Sequence, residues 1–374
     1  MRLLVAGPGH PYRGGIARCT TALAAGLEGR GHEVLFLTPR RQYPEWLYPG
    51  RDDRDPTSSR RLECARAVLD PMNPFAWPAG RREAVEFGAD AWIFPFWTWA
   101  WAGWLRFLLR GSRRPPAVAV VHNLVDHDAD LRQRVAARIV LGRCQAFFTH
   151  AEAMSSSLAS VHPGVPSAVF PHPRFDYGEL PPKAEARAAL DLPRDGRVAL
   201  FMGLIRPYKG VDVLVDAAAR LPSGNDWTVV VAGEPWGSLG SLLEAQVRKL
   251  GLEERVRLRL DWVAEEEVPQ LLAAADIMVL PFRAGSQSGV AATALGYGLP
   301  VLSTAIGGVP EVVRHGVNGL VVQPGSAEEL AEALSSLDRA LLDKLAAGAR
   351  ATGKTLDWAD YVEVMEGLLV RVVG

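Results

Sequence analysis

The apolar positions of the chain fall into short runs, and most runs are followed by a polar, glycine-containing turn and an amphipathic segment. Such a run is typical of a strand that is buried on both faces of a parallel sheet. Five such strands are predicted in the first half: Arg2–Ala6, Glu33–Thr38, Ala91–Phe94, Ala117–Val121 and Ala146–Thr149. Six are predicted in the second half: Val198–Met202, Trp227–Ala232, Val256–Leu260, Ile277–Leu280, Val301–Thr304 and Gly319–Val322. Strands that alternate with helices predict an α/β fold with two doubly wound, Rossmann-like domains.

The connection between the two series of strands is the predicted domain boundary. Phe170–Asp176 (FPHPRFD) contains two prolines, which fix their own backbone angles and stiffen the segment. We therefore expect an N-terminal domain at residues 1–175 and a C-terminal domain at residues 176–356, facing each other across a cleft.

The stretch from Asp276 to Gly319 repeats the order strand, polar turn, helix. Pro281–Ser288 is a turn rich in glycine and serine, and the small-residue helix Gly289–Tyr297 follows it. Gly307-Gly308 opens a second turn before a short helix that contains Glu311. Such turns point backbone N–H groups beyond the strand ends, which suits a phosphate group. An ordinary Rossmann crossover has the same pattern, so both interpretations stay open.

Polar residues at strand ends are the next candidates for function. His122 follows the strand Ala117–Val121, where a polar residue lies at the binding face of an α/β sheet, although a structural histidine is the alternative. The first turn, Gly7–Gly15, lacks the G-x-G-x-x-G spacing because position 12 is Tyr12. Thr38, instead of an acidic residue, ends the second strand. A dinucleotide-binding site is therefore not favoured.

The composition is that of an ordinary globular enzyme. The 374 residues allow two or three domains, with 48% apolar and 22% charged residues. Cys19, Cys64 and Cys144 are odd in number and lack metal-ligand spacing, which favours reduced thiols. The short strand Arg2–Ala6 runs directly into a glycine turn and does not fit a signal peptide. We therefore expect a cytoplasmic protein.

Charge is distributed unevenly along the chain. Residues 1–175 hold 22 arginines, no lysine and 15 acidic residues, a net charge of +7, and the remainder holds 19 basic and 27 acidic residues, a net charge of −8. Compositional drift could produce this split. The functional interpretation is a first domain that faces an anionic membrane surface or a phosphorylated acceptor. No nucleic-acid recognition motif accompanies the arginines, so no nucleic-acid partner is expected.

Ala91–Leu105 (AWIFPFWTWAWAGWL) contains five of the eleven tryptophans and no charged residue. The segment is too short to span a bilayer, which requires about 20 apolar residues. Core packing is one interpretation. The other is an interfacial patch with indole rings at headgroup depth, which would make the protein peripheral at the inner face of the membrane.

Two further segments remain without a firm role. Pro39–Pro78 is polar and broken by prolines, with one predicted helix around Ser59–Leu69, and the role of residues 39–88 is open. A group of aspartates with one histidine could suggest metal ligands. These residues are Asp126, His127, Asp128 and Asp130. The closing glycine and glutamate of a calcium loop are missing, so we interpret the group as the acidic start of a helix.

These features together resemble the family 4 retaining glycosyltransferases. In the stretch from Asp276 the matching positions are Ala294, Gly298, Pro300-Val301, Gly307-Gly308 and Glu311. The two glutamates of the family signature are absent, and Gly285 and Thr293 replace them. The turn Gly203–Gly210 (GLIRPYKG) is similar to the family's G-R-x-x-x-x-K-G turn, and Gly14-Gly15 matches its first glycine pair. The resemblance covers nearly the whole chain and implies the GT-B fold.

The resemblance also implies an activity: transfer of a sugar from a nucleotide-diphosphate sugar to a carbohydrate or lipid-linked acceptor hydroxyl, with retention at the anomeric carbon. It implies a role in the synthesis of cell-surface polysaccharide or glycolipid, and it places the helix Trp358–Val373 (residues 357–374) against the first domain. It places His122 near the reacting sugar. A helix N-terminus supplies only about half a unit charge to a diphosphate, so fixed cations are needed. Arg206 and Lys209 are the candidates, with a solvated surface pair as the alternative.

The resemblance also implies which residues contact the donor, and several of them lie near Gly285 and Thr293, the positions of the two replaced glutamates. The predicted donor contacts are Gly14, Gly15, Gly203, Glu234, Ser286, Gln287, Ser288, Gly289, Thr293 and Glu311. Ser286–Ser288 would bind the donor through neutral hydrogen bonds, and Thr293 would make a weaker ribose contact. Glu234 or Glu311 could alternatively supply a carboxylate from a neighbouring turn. No cofactor and no obligatory metal are expected. Two rival functions stay open: a GT-B-like sugar-nucleotide epimerase, and a catalytically silent sugar-nucleotide-binding protein.

Overall fold

The computed structural model describes residues 1–42, 53–55, 62–124 and 131–374. The chain forms two compact units, one made of Met1–Pro171 with Trp358–Gly374 and the other of His172–Asp357. The group Asp126, His127, Asp128 and Asp130 lies outside the described residues, as do residues 59–61 of the predicted helix Ser59–Leu69.

The first unit contains a parallel sheet of seven strands. The strands are β1 (Arg2–Ala6), β2 (Glu33–Pro39), β3 (Ala65–Leu69), β4 (Ala91–Phe96), β5 (Ala117–Val121), β6 (Ala146–Thr149) and β7 (Ser167–Val169). Its helices are α1 (Gly15–Gly29), α2 (Trp77–Glu86), α3 (Ala102–Leu108), α4 (Leu131–Leu141), α5 (Glu152–Val161) and, from the end of the chain, α14 (Trp358–Val373). The strand order is β3-β2-β1-β4-β5-β6-β7. This is the doubly wound order, with the reversal between β1 and β4.

Alternate residues of the central strands β1, β2, β4, β5 and β6 enter two cores, one on each face of the sheet. In β1, Leu4 and Ala6 belong to one core, and Leu3 and Val5 belong to the other. The division follows from the two-residue period of a strand, and it explains why the run is apolar throughout. Helix α14 contributes the fully buried Tyr361 to the second core.

The tryptophan-rich segment packs mainly inside the first unit. Four of its five tryptophans are buried, namely Trp92, Trp97, Trp101 and Trp104. The structure therefore supports the core interpretation, and these four indole rings do not form an interfacial patch. Among the described residues, no helix has both the length and the apolar character that crossing a bilayer requires.

The predicted helix around Ser59–Leu69 is wrong in its described part. Ala65–Leu69 instead forms the edge strand β3, which pairs in parallel with β2. Only Leu69 of this strand is buried, and Arg66 and Ala67 are exposed. Backbone pairing with β2 satisfies the N–H and C=O groups here, and this tertiary interaction outweighs local helix propensity.

The second unit contains a parallel sheet of six strands. The strands are β8 (Arg197–Met202), β9 (Trp227–Ala232), β10 (Val256–Arg259), β11 (Ile277–Leu280), β12 (Val301–Thr304) and β13 (Gly319–Val322). Its helices are α6 (Lys183–Ala189), α7 (Val211–Arg220), α8 (Leu239–Lys249), α9 (Val268–Ala274), α10 (Gly289–Gly296), α11 (Val309–Val312), α12 (Ala327–Ser336) and α13 (Arg339–Gly353). The order β10-β9-β8-β11-β12-β13 places the reversal between β8 and β11. Ligands of such sheets bind beyond the carboxyl ends of the strands at this point.

One long predicted helix of the second unit is interrupted. The sequence pattern predicts helix over Ala327–Thr352, but α12 ends at Ser336 and α13 begins at Arg339. Asp338 causes the new start, because its side chain accepts a hydrogen bond of 2.7 Å from the N–H of Leu341. An aspartate in this position satisfies one of the otherwise unpaired N–H groups of a first helical turn.

Candidate active site

Four loops meet at the carboxyl edge of the second sheet, and backbone hydrogen bonds join them to one another. The N–H of Ile205 donates to the carbonyl of Glu234 at 2.9 Å, which joins the loops after β8 and β9. The N–H of Gly308 donates to the carbonyl of Ser286 at 2.8 Å, which joins the loops after β12 and β11. We call these four hydrogen-bonded loops the backbone frame. They follow β8, β9, β11 and β12 and therefore lie on both sides of the reversal point.

The loops after β8 and β11 are also joined to each other. Arg283 donates from its N–H to the carbonyl of Tyr208 at 2.7 Å. Its guanidinium makes a two-bond ion pair with Asp212, at 2.7 and 2.6 Å. Gly210 has a φ of +64°, and a Cβ atom there would lie 2.1 Å from the carbonyl oxygen of Pro281. Only glycine permits both this backbone angle and this close approach of the two loops.

Gly203, Lys209 and Val290 lie close together at the reversal point. A Cβ atom at Gly203 would lie 3.4 Å from Nζ of Lys209 and 3.8 Å from Cγ2 of Val290. Lys209 belongs to the turn after β8, whereas Val290 is the second residue of α10. The ammonium group of Lys209 therefore lies near the start of that helix, where a helix attracts negative charge.

Arg206 and Lys209 form a pair of cations in one turn. The guanidinium of Arg206 lies over the ring of Trp236, with 3.6 Å from Cζ to the ring centroid, and such cation–π contacts help to fix its position. The pKa of Lys209 is lowered from 10.5 to about 8, first because burial removes water from its ammonium group and second because Arg206 repels it. Within the part of the chain that the structure describes, neither side chain has an ion-pair partner. The turn therefore holds positive charge that an anion would stabilise.

The loop before α10 offers neutral hydrogen-bonding groups. Ser288 caps the helix, because its Oγ accepts a hydrogen bond of 3.1 Å from the N–H of Ala291. The Oε1 atom of Gln287 is buried and has no hydrogen-bond partner among the described residues. The N–H groups of Gly289 and Val290 likewise have no acceptor in the described chain. Unpaired donors at a helix start suit the oxygens of a phosphate.

The remaining predicted donor residues of the second unit differ in exposure. Thr293 is 2% exposed, and its hydroxyl accepts a hydrogen bond of 3.3 Å from the N–H of Phe175. Its ribose contact stays a prediction, and it would require the buried hydroxyl to become exposed. Glu311 is exposed on α11, and Glu234 is half-buried directly after β9. Glu234 lies on a loop of the backbone frame, and Glu311 lies on the short helix α11 that follows the loop after β12.

The segment predicted as the domain boundary, Phe170–Asp176, supports helix α10. The ring of His172 packs against Gly289, where a Cβ atom would lie 3.1 Å from Cε1. Burial lowers the pKa of His172 to about 4, so the ring is neutral at pH 7. The contact of His172 with Gly289 and the hydrogen bond from Phe175 to Thr293 hold helix α10 in place. Neither of them adds a charge near the start of the helix.

The predicted residues of the first unit lie at the start of α1, after the loop that follows β1, and directly after β5. Gly14 has a φ of +109°, and a Cβ atom at Gly14 or Gly15 would meet no atom within 4 Å. His122 follows β5 and is 2% exposed. Its ring centroid lies 4.9 Å from that of His150, which follows the neighbouring strand β6. These residues belong to the first compact unit, whereas Arg206 and Lys209 belong to the second.

Three residues that contact the predicted site residues were not predicted from the sequence. Trp236 has no motif around it that indicates its stacking on Arg206, because the contact joins two loops. Cys19 and His150 were not predicted beside His122, although their ligand atoms and those of His122 all lie within 4.8 Å of one another. His150 directly follows a predicted strand, and this position could have indicated a functional role. The same kind of position identified His122.

Two family models match the chain, one in each unit. The model described as Glycosyltransferase Family 4 matches residues 13–173, and the model described as Glycosyl transferases group 1 matches residues 196–339. The first match contains Gly14, Gly15 and His122. The second contains the four loops at the carboxyl edge of the sheet, with Arg206 and Lys209.

Similar proteins support the same family. A D-inositol 3-phosphate glycosyltransferase of Mycobacterium sp. (strain KMS) is 32% identical over 258 residues, which span 65% of this chain and 57% of the relative. The protein of the same name from Mycobacterium leprae (strain Br4923) is 31% identical over 356 residues, 90% of this chain and 82% of that protein.

Solved structures with low identity share the fold. Sucrose-phosphate synthase from Thermosynechococcus elongatus has a TM-score of 0.81 at 20% identity, over 99% of this chain and 98% of that one. HepE from Anabaena, solved in complex with UDP-glucose, has a TM-score of 0.78 at 20% identity, over 98% and 99% of the two chains. The predicted fold is confirmed, and the chain belongs to the family 4, group 1 glycosyltransferases, enzymes of the GT-B fold.

Proposed function

We propose that this chain is a retaining glycosyltransferase that moves a sugar from a nucleoside diphosphate sugar to an acceptor hydroxyl group. The pair Arg206 and Lys209 is the observation that carries the proposal. The two cations share one turn at the reversal point of the sheet, and the pKa of Lys209 is lowered first by burial and second by the repulsion from Arg206. Two like charges are held together at a cost, and a diphosphate with two or more negative charges would offset that cost.

The chemical role of this pair is to stabilise the departing diphosphate. As the bond between the anomeric carbon and the phosphate oxygen breaks, negative charge grows on that oxygen, and positioned donors in a site poor in water stabilise it strongly. Arg206 supplies a planar set of donors that suits phosphate, and Lys209 supplies a compact ammonium group. The N–H groups of Gly289 and Val290 and the Gln287 amide would bind the remaining phosphate and sugar oxygens.

The residues of the first unit have roles that rest on the family. His122 is proposed to lie near the reacting sugar, and the turn Gly14-Gly15 to approach the donor phosphates and the acceptor. The open space around both glycines is compatible with a ligand at that turn.

The similar proteins indicate which donor and which acceptor to test first. HepE was solved with UDP and with UDP-glucose, so a uridine diphosphate sugar is the first donor. The mycobacterial relatives carry the name D-inositol 3-phosphate glycosyltransferase, so an inositol phosphate is the first acceptor. An anionic acceptor also suits the net charge of +7 over residues 1–175.

The test is an assay of nucleoside diphosphate release with a panel of donors, each with and without an acceptor. We expect release that depends on both substrates, and a product whose anomeric configuration equals that of the donor by nuclear magnetic resonance. Arg206→Ala and Lys209→Ala should each weaken donor use strongly, since truncation of one member of a buried charged contact costs about 2–5 kcal/mol. Lys249→Ala, which removes an exposed lysine of α8, is the control.

The rival functions give different results in the same assay. An epimerase would convert the sugar nucleotide without any acceptor. A silent binding protein would bind donors and release no diphosphate with any acceptor. Donor affinity and turnover within twofold of the parent protein in either cation variant would contradict the assignment of the diphosphate site.

We also propose that helix α4 of the first unit contacts an anionic membrane, where a lipid-linked acceptor would lie. Leu131, Val135 and Ile139 are 72%, 48% and 41% exposed and recur every four residues on one face. Three exposed arginines flank this stripe, and α4 contains no acidic residue. They are Arg132, Arg134 and Arg138. An apolar stripe beside arginines is the pattern of a helix that lies in the membrane interface.

Co-sedimentation with vesicles tests this surface. Each arginine near an anionic surface contributes about 1 kcal/mol, so replacing Arg132, Arg134 and Arg138 by glutamine should reduce binding about 100-fold. Binding should require phosphatidylserine in phosphatidylcholine vesicles and weaken with salt. Equal binding to vesicles of phosphatidylcholine alone, or no loss in the triple variant, would refute the assignment.

A further inference from the structure

Three side chains that can bind a soft metal ion meet inside the first unit. Cys19 comes from α1, His122 follows β5, and His150 follows β6, so three separate elements bring them together. Their ligand atoms all lie within 4.8 Å of one another. The three residues are 1%, 2% and 3% exposed, respectively.

The ring of His150 is oriented for a ligand role. Its Nδ1 lies 3.2 Å from the carbonyl oxygen of Phe170, which can only accept a hydrogen bond. In the neutral ring, Nδ1 therefore carries the proton and Nε2 carries the lone pair. The ring of Tyr361 stacks on His150 at a centroid distance of 5.8 Å and an angle of 16°. A histidine held through its other nitrogen is the usual arrangement for a metal ligand.

We propose that Cys19, His122 and His150 bind one thiophilic metal ion, Zn²⁺ or Cu⁺. A thiolate and two imidazoles are ligands that these ions prefer, whereas Mg²⁺ and Ca²⁺ require oxygen ligands, which this trio lacks. Binding replaces the S–H bond of Cys19 by a sulfur–metal bond, and the proton is released to the solvent. With Cu⁺ the ion and the thiolate are together neutral. With Zn²⁺ one positive charge remains, and a water or anion takes the fourth position.

The consequence for turnover rests on the proposed function. A bound ion occupies one nitrogen of His122, the side chain that we place near the reacting sugar. The same ion therefore inhibits sugar transfer, and removing the ion restores it. The binding of the ion itself does not depend on that role.

The experiment titrates the purified full chain, kept reduced by a phosphine, with Co²⁺ as an optical probe for the zinc site. We expect one ion per chain and a thiolate-to-cobalt absorption band that Zn²⁺ abolishes by displacement. A parallel titration with Cu⁺ under anaerobic conditions distinguishes the two ions by their order of affinity. Cys19→Ala should lose the band and weaken binding at least about tenfold, since even indirect metal partners contribute 10–100-fold.

Matched variants make the result decisive. Cys144→Ala removes the other buried cysteine and Cys64→Ala a half-buried one, and both should keep the band. His150→Phe keeps a ring against Tyr361 but removes both nitrogens, so it should also bind at least about tenfold more weakly. Thermal unfolding without metal confirms that each variant folds. No thiolate-to-metal band in the parent protein with either Co²⁺ or Cu⁺, or a band that survives Cys19→Ala, would overturn the site. A band without inhibition of transfer would leave the metal site standing and refute the assigned role of His122.

Discussion

Raising the pH should weaken the binding of nucleoside diphosphates, because Lys209 loses its charge at unusually low pH. Burial and the repulsion by Arg206 lower the pKa of Lys209 to about 8. A bound diphosphate would stabilise the ammonium form and raise that pKa again. Binding above pH 8 must therefore take up a proton, and linkage makes affinity fall as pH rises through the pKa of the free protein.

The size of the effect follows from this pKa. With a pKa of about 8, about nine in ten Lys209 side chains are charged at pH 7 and about one in ten at pH 9. The Kd for a nucleoside diphosphate should therefore rise about tenfold between pH 7 and pH 9, which equals about 1.4 kcal/mol. The terminal phosphate titrates near pH 6, so the charge of the ligand is nearly constant over this range.

Isothermal titration calorimetry at several pH values between 7 and 9 measures the effect. In buffers of different ionisation enthalpy, it also reports the uptake of a proton at the higher pH. Lys209→Arg keeps its charge throughout, so its Kd should be independent of pH, and Lys249→Ala should behave like the parent protein. A parent Kd that changes less than twofold between pH 7 and pH 9 would refute the reasoning, as would an equal pH dependence in Lys209→Arg.

Four further outcomes are expected. Trp236→Ala should lower donor affinity less than Arg206→Ala does, because the guanidinium remains but loses its support; titration calorimetry of both compares them. Gly307→Ala should lower the free energy of unfolding by more than about 1 kcal/mol, since its φ is +47° and a Cβ would lie 2.3 Å from a backbone oxygen; urea denaturation measures this. Gln287→Ala should raise the donor Kd roughly 2–10-fold and more than Thr293→Ala does, because neutral bonds contribute about 0.5–1.5 kcal/mol. Turnover in excess EDTA should persist, and loss that a divalent ion restores would contradict the expectation of no obligatory metal.

Most central strands could be predicted because burial on both faces leaves an uninterrupted apolar run. β3 and β7 could not, since they lie at the two edges of the first sheet and their side chains are largely half-buried or exposed. An edge strand forms because it pairs with a neighbouring strand, and the local sequence pattern carries no information about that pairing. The helices α2 and α6 were also missed, and their polar composition gave no clear apolar face.

The candidate site was predictable where it depends on strand ends and glycine turns. The parallel sheet brings the loops after β8, β9, β11 and β12 to one edge, so their position follows from the order of the chain. The stacking of Trp236 on Arg206 and the meeting of Cys19 with His150 arise from packing between distant elements. Nor could the sequence reveal that the Thr293 hydroxyl turns to Phe175.

The membership of α14 in the first unit has a consequence for synthesis of the protein on the ribosome. The second core of this unit needs Tyr361 and Met365, which are fully buried against strands made from the first half of the chain. All of His172–Asp357 is translated between these two parts. At about 5–20 residues per second, that interval is roughly 10–40 s. During this time the nascent first unit exposes an apolar face of its sheet, while the second unit can already fold.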